Sequence, residues 1–557
     1  MNKVMKTTIY SVFAIMLSAS GLMACSDDDF GPDPAKNWAE TTTFFAPTDD
    51  AGFNTYYMPA IGRVGDPMPF YDKKAGEFKV LYLQEFDNNP PFRFHPIWGL
   101  RTTDGANYQS MGEVLPTATN DYAQDAALGT GCAVYNEKEG LYYIYYTGHN
   151  GNCSSREVVL RATSPDFKTW TKDVAWSIKG VEYGYSGNDF RDPQIFTTDD
   201  GVYHMVISAY PSWGGDPKFA EFKSNDMKTW EHVGMFNMIW DRMLECPDIF
   251  KMGNYWYLVF SQSNRASWSR KVKYMVATSW EGLKDCFNSG PKWPADGPLW
   301  REGTLDTRAF YAAKTASNGT DRYIWGWSPY RSGKDIHEKN INVGADGEPN
   351  WSGALVCHKI IQHEDGTLTL GAVPAIAAKY TKQQPVNVMA SNGYNNGTLS
   401  GEGAYVLYNR LGTCNHISFK VTTSNNWDKF GISFVRSTDP DYYYTLVVNP
   451  EEENARKVNF EQEGYRIVEE WSEEEQKMVE KKVNGKGFIE GADGYGFYRP
   501  ENNEYNIDIY TDNSVLVMYI NDTVCCTHRI YGIQKNCWSI NNYGGSVTVS
   551  NVKVSQQ

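Results

Sequence analysis

The amino-acid sequence predicts an all-β chain: a five-bladed β-propeller over residues 50–375 followed by a C-terminal β-sandwich over residues 385–557. Three observations lead there. Aromatic residues fill 15% of the 557 positions, with 18 Trp and 37 Tyr, a composition suited to short strands and tight turns rather than helices. A strand–turn–strand unit recurs five times at intervals of about 60 residues, the mark of a radially repeated fold. Beyond it the chain alternates apolar and polar residues without that repeat, as in "HISFKV", "FGISFV" and "YNIDIY".

From the N-terminus, residues 1–25 read as a targeting segment outside the fold. Lys3 and Lys6 precede the apolar "IYSVFAIMLSASGLM", and Leu22-Met23-Ala24-Cys25 resembles a bacterial lipoprotein cleavage box with Cys25 as the lipidated residue. The "SDDD" after Cys25 resembles an acidic signal that sends some Gram-negative lipoproteins to the cell surface. The expectation is an outer-membrane lipid anchor through Cys25, with residues 26–49 as a tether and the cell surface, or else the periplasmic face, as the location. No later run reaches the ~18 apolar residues of a membrane span.

The five units begin at Gly65 ("GDPMPFYDKKAGEFKVLYLQ"), Gly129 ("GTGCAVYNEKEGLYYIYYTG"), Arg191 ("RDPQIFTTDDGVYHMVISAY"), Glu245 ("ECPDIFKMGNYWYLVFSQS") and Asp306 ("DTRAFYAAKTASNGTDRYIWGW"). Each has a small or acidic head, an apolar strand, a polar turn and an aromatic strand. Turns such as "ATSPDFKTW" and "FKSNDMKTW" follow in several of them. In a propeller the innermost strands of all blades start at one end of the central channel. The heads Asp66, Thr130, Asp192, Glu245 and Asp306 are therefore expected to converge.

A single Asp before Pro is an ordinary turn residue. Three carboxylates, Asp66, Asp192 and Glu245, around one funnel repel each other and call for a use. A calcium ion takes six to eight oxygens, often from an Asp-rich loop, and no such loop is present. Glycoside cleavage needs one carboxylate at the anomeric carbon and one acid at the leaving oxygen. Glu245 is the better acid, because "CPDIF" and the aromatic strand behind it offer apolar surroundings. The net charge of −15 argues against nucleic acid as a partner and is compatible with a neutral carbohydrate. Nine cysteines beyond Cys25 show no metal-ligand spacing and read mostly as small core residues. Neither a metal nor a cofactor is expected.

Asp66-Pro67, Arg191-Asp192-Pro193 and Glu245-Cys246-Pro247-Asp248 resemble the motifs of glycoside hydrolase family 32, the invertases, inulinases, levanases and other β-fructosidases. "WGLRTTDGANY" from Trp98, "GTGCAV", "LDTRAFYAAKT" and "WSGALVCHKIIQHEDGTLTLGAVPAI" are similar to further blocks of that family. The resemblance implies a retaining hydrolase with Asp66 as nucleophile, Glu245 as general acid/base and Asp192 as stabiliser of the transition state. It places Arg191, Gln84, Thr130, Asp306 and Trp98 at the substrate. The departures are Gly65, where the family has an Asn that holds a fructosyl hydroxyl, and Met68-Pro69, where it has a polar turn. Cys357-His358-Lys359 stands for Pro-Arg-Glu, and Val517 for a Glu in the closing signature.

Residues 376–384 read as a connector and "EEWSEEEQKMVEKKVNGKG" as a solvated loop or short helix. His204 and His232 read as structural, whereas Trp213 and Trp268 are candidates for sugar-stacking platforms. The sequence thus predicts a lipid-anchored enzyme that cleaves fructans or fructo-oligosaccharides. The alternatives are a hydrolase of another furanoside such as arabinan, kept open by Gly65 and Met68, and a non-catalytic glycan-binding lipoprotein.

Overall fold

The computed structural model describes residues 53–86, 95–238, 243–264, 269–289, 302–307, 309–329, 351–425, 428–436, 444–450, 457–486, 497–498, 500, 502–530 and 533–557. Cys25, the rest of residues 1–25 expected to be a targeting segment, the expected tether at 26–49 and Trp268 lie outside them. The aromatic, β-branched segments form antiparallel strands, as their pleat-filling side chains favour. Blade one comprises Met68–Asp72, Glu77–Glu85, Ile97–Thr102 and Gln109–Leu115. Blade two runs from Ala127–Asn136 to Thr171–Lys172, blade three from Tyr185–Thr197 to Glu231–Asn237, and blade four from Leu244–Met252 to Glu302–Thr304. Blade five comprises Tyr311–Ser317, Arg322–Pro329, Gly353–Gln362 and Leu368–Gly371.

A two-residue strand, Arg63–Val64, closes the ring. Val64 pairs with Gly353 of blade five on one side and Gln84 of blade one on the other, so the two blades share one sheet. The repeated Ser/Thr-Asp turns are hydrogen-bonded loops at the blade edges. In blades two and three the Oδ1 atoms of Asp166 and Asp226 accept the N–H groups of Lys168 and Thr169, and of Lys228 and Thr229, at 2.7–2.8 Å. Blade four has the helix Trp280–Ser289 in that place.

The expected connector carries structure: Pro374–Ala377 is one helical turn, and Lys382–Gln384 already pairs with the C-terminal strand Ser546–Gln556 of the sandwich. The charged run from Glu469 also differs from expectation. Lys457–Ser472 and Lys477–Lys486 form a long antiparallel hairpin, with Trp471 opposite Met478 at its tip.

The sandwich sits directly on the propeller. One hydrophobic core contains Val80, Phe310, Trp325 and Leu355 from the propeller with Tyr510, Val515, Val517 and Tyr519 from the sandwich. Val517, where the family has Glu, is fully buried there. No disulfide joins the described cysteines, and all of them except Cys153 are buried.

Candidate active site

The innermost strands carry an irregularity where they leave the funnel. In blades three, four and five one extra residue enters the ladder, between Arg191 and Gln194, Glu245 and Asp248, and Tyr311 and Lys314. Blade two has the same shift between Gly129 and Gly131. In blades three, four and five the residue after Arg191, Glu245 and Tyr311 takes a left-handed backbone: Asp192 (φ 62°), Cys246 (φ 52°) and Ala312 (φ 52°). Non-glycine residues avoid this region, and such bulges re-aim side chains beside functional sites.

The bulges set the equivalence of the blades. Arg191, Glu245 and Tyr311 occupy one position, Asp192, Cys246 and Ala312 the next, and Gln194, Asp248 and Lys314 a third. The heads of blades three and five are therefore Arg191 and Tyr311, and not Asp192 and Asp306 as the sequence suggested.

The first tier converges. Glu245 accepts a hydrogen bond from Arg191 (Nη2 to Oε1, 3.1 Å) and another from the Tyr311 hydroxyl (Oε2, 2.8 Å). Asp66 is clasped at both oxygens: Trp327 Nε1 donates to Oδ1 at 2.9 Å and Thr130 Oγ1 to Oδ2 at 2.6 Å. Asp192 is fully buried and accepts the Cys246 N–H at 2.9 Å. Its own N–H donates to Thr147 Oγ1, which donates to the Thr130 carbonyl, both at 3.0 Å. Blades one, two and three are thereby linked through the site.

Burial pushes the Asp192 carboxyl up to about 7; the Arg191 cation opposes that, and the charges of Glu245 and Asp66 add to it. The three carboxylates thus share one electrostatic environment. The surroundings of Glu245 differ from the apolar ones expected. Its side chain keeps 29% exposure beside a guanidinium and a phenol, while the burial falls on Asp192.

Beneath lies a second tier. Lys314 Nζ donates to the Gly131 carbonyl (2.8 Å) and Gln194 Oε1 (2.9 Å), and Gln194 Nε2 donates to Asp248 Oδ1 (3.2 Å). Asp248 Oδ2 accepts the N–H and hydroxyl of Thr315. These groups link blades two, three, four and five to one another. Tyr311, Trp327, Thr147 and Lys314 escape a reading that looks for acidic heads. The polar pair spaced three apart in Arg191/Gln194, Glu245/Asp248 and Tyr311/Lys314 is the signal that finds two of them.

Of the other predicted residues, Thr130 and Arg191 reach the site. Gln84 is buried on the second strand of blade one, where its amide donates to the Ile61 carbonyl at 2.8 Å and supports the chain that enters the closing strand. Trp98 packs edge-on against Phe86 in blade one. Asp306 is fully buried against the sandwich, accepting from Thr527 N–H (2.7 Å) and Oγ1 (2.5 Å) and facing His358 Nε2 at 3.2 Å. Although burial works the other way, the hydrogen bond and charge of His358 hold its carboxyl below the ordinary range. His204 pairs with Glu221, and His232 meets the Tyr185 hydroxyl, both within blade three.

Asp306, His358 and Cys525 are the one group among the described residues with three potential metal ligands close together. Their geometry does not suit an ion. Cys525 Sγ is nearer to His358 Nδ1 (3.7 Å) than to Nε2 (4.0 Å), so it stands over the ring and off the Nε2 lone pair. The Nδ1 atom is engaged by the Tyr519 hydroxyl at 2.7 Å. The group is an interdomain hydrogen-bond network.

Gly65 and Met68 have structural reasons. A Cβ on Gly65 would lie 2.3 Å from Cη2 of Trp351, so the indole occupies the space a side chain would need. Met68 turns into the core between blades one and two, and its Sδ accepts the Gly131 N–H at 3.1 Å.

Residues 57–372 match the Glycosyl hydrolases family 32 N-terminal domain, and residues 366–554 match the domain described as GH32, BT1760-like, C-terminal domain. The chain is similar to the raffinose invertase of Escherichia coli, 26% identical over 369 residues that span 61% of this chain and 69% of that protein. A levanbiose-producing levanase of Bacillus subtilis is 22% identical over 324 residues, 54% of this chain and 56% of that protein. In fold it is similar to sucrose-6-phosphate hydrolase from Lactobacillus gasseri (TM-score 0.63, 16% identity, 94% of this chain and 96% of that one). Fructan 1-exohydrolase IIa from Cichorium intybus gives a TM-score of 0.62 at 15% identity, covering 91% and 97% of the two chains. With both of its domains matched, the chain belongs to glycoside hydrolase family 32.

Proposed function

We propose that this glycoside hydrolase cleaves β-fructofuranosidic bonds of fructans or fructo-oligosaccharides with retention, and that Asp66, Asp192 and Glu245 carry the reaction. The supporting observation is the meeting of the three carboxylates at one funnel, with Asp66 gripped at both oxygens and Glu245 held by a cation and a phenol. In the first step an Asp66 oxygen attacks the anomeric carbon while protonated Glu245 gives its proton to the leaving oxygen, and the glycosidic bond breaks. In the second, Glu245 takes a proton from water, the water oxygen bonds to the anomeric carbon and the Asp66 ester bond breaks. Asp192 accepts sugar hydroxyls and offsets positive charge as it develops. Tyr311 and Arg191 orient Glu245.

Incubation with levan, inulin, sucrose and arabinan, with products resolved by chromatography, tests this reading. Fructose or fructo-oligosaccharides are expected from at least one fructan or from sucrose. Release from arabinan alone would favour the other furanoside, and silence on all four the binding-protein alternative. Lipid anchoring through Cys25 belongs to the same proposal: Cys25→Ala should move the protein from the membrane fraction to the soluble one.

A further inference from the structure

The face that presents the carboxylates also presents apolar side chains that the core does not use. Chain direction fixes which segments lie on it, because each innermost strand starts there and each second strand ends there. In blade three, residues 212–217 follow the second strand, which ends at Pro211. Residues 116–126 cross the same face from the last strand of blade one to the first strand of blade two. Trp213 stands in the former at 70% exposure and Tyr122 in the latter at 77%.

Both backbones are firmly held. Ser212 N–H donates to the Gly184 carbonyl at 2.9 Å and Gly214 N–H to the Pro211 carbonyl at 3.1 Å, on either side of Trp213. Gly184 is left-handed (φ 86°), and a Cβ there would lie 3.6 Å from the Trp213 ring. Around Tyr122, Asn150 Nδ2 donates to the carbonyls of Asp121 (2.8 Å) and Ala123 (2.6 Å), and Asn120 Oδ1 accepts the Tyr122 N–H at 2.9 Å. A ring so exposed contributes little hydrophobic stabilisation, yet its mounting is fixed. Exposed aromatic rings on a fixed backbone suit binding, because the backbone freedom is already lost. Val181, in the adjoining turn, and Ile61, before the closing strand, are exposed on the same face.

Ser208 is the ladder partner of Arg191, and Trp213 lies five residues beyond it. At ~3.3 Å per residue, Trp213 is up to about 16 Å from the first tier. That bound leaves room for further sugar units between the cleaved bond and Trp213, on the face where the funnel opens. We propose that Tyr122 and Trp213 form a distal platform on which a polymeric fructan lies, the apolar C–H faces of its rings against the two aromatic rings. The proposal rests on the fructan reading of the catalytic site and adds that the substrate is a polymer gripped outside the funnel.

The test compares wild type with Tyr122→Ala, Trp213→Ala and the double variant, on long-chain levan or inulin and on sucrose or 1-kestose. Covering one ring face stabilises a bound chain by about a tenfold factor in affinity. Each single variant should raise KM on the polymer about tenfold and the double variant more, with kcat/KM on the short sugars within twofold. Affinity electrophoresis through a polymer-containing gel should show the same loss of retention without reference to turnover. Unchanged polymer KM and retention would overturn the platform while leaving the catalytic reading intact, and so would an equal loss on polymer and short sugars. A wild type that cleaves neither short sugar nor polymer would remove the catalytic reading, and the platform with it.

Discussion

Asp192 is enclosed, left-handed at φ 62° and flanked by two other carboxylates, with its acidity shifted to about 7 chiefly by burial. For a carboxyl whose folded-state value is raised, charging costs stability. The cost is absent below the ordinary Asp range and complete above about 7, so it grows as pH rises between them. Asp192→Asn should therefore be inactive yet more stable than wild type at pH 8, by an amount on the order of a few kcal/mol at most, with the difference vanishing near pH 4. Thermal melts of both proteins at the two pH values check this. Arg191 opposes the upward shift. Arg191→Gln should then move the acid limb of the kcat/KM profile to higher pH, since ionised Asp192 is lost sooner as pH falls. Gly65 supplies a prediction of another kind: Gly65→Asn restores the family's residue but drives its side chain into Trp351. It should cost ~1–3 kcal/mol in denaturant titrations, and Trp351→Ala in the same chain should recover part of that.

At the scale of elements, the bulges in blades three to five aim the functional side chains. Ala312 holds its left-handed turn without the freedom of glycine, at a cost of about 1–2 kcal/mol. Ala312→Gly should be neutral to stabilising with kcat retained. Ala312→Val should destabilise by more than that cost and lower kcat, because it displaces Tyr311 from Glu245; urea unfolding and steady-state kinetics on the same samples check both. The bulges also explain what the sequence made legible. The five repeats and the convergence of Asp66, Asp192 and Glu245 could be read from spacing, because strand alternation and turn chemistry are local. The register of the blades could not, since one extra residue in a ladder depends on the partner strand. That is why Asp306 was expected at a head that belongs to Tyr311. The role of Trp351 opposite Gly65 was hidden for a similar reason, as a contact across the closing seam of the ring leaves no local mark. The hairpin from Lys457 to Lys486 was obscured by its charge, because the run from Glu469 offers no regular apolar period to read.

At the scale of the whole molecule, propeller and sandwich are packed against each other. They share a hydrophobic core, and polar contacts cross the seam: Asp512 Oδ2 accepts the N–H groups of Asn54, Thr55 and Tyr56 at 2.6–3.0 Å, and Asp306 meets Thr527. A chain ending at residue 375 should expose Val356, Leu370 and their neighbours and fail to accumulate as soluble protein; expression and size-exclusion chromatography would show whether it does. The arrangement serves the site, because blade five, which supplies Tyr311 and Trp327, is the blade the sandwich braces.

The central claim is that Asp66 forms a bond to the sugar while Glu245 moves the proton. It is tested most directly in Glu245→Gln supplied with β-fructofuranosyl fluoride, whose leaving group needs no proton. The first step then proceeds and the second lacks its base, so the intermediate accumulates and is caught by denaturing quench and peptide mass mapping. The predicted result is one fructosyl unit on the peptide that contains Asp66. A fructosyl unit on the Asp192 peptide, or fluoride release at the wild-type rate with no modified peptide, would contradict the account.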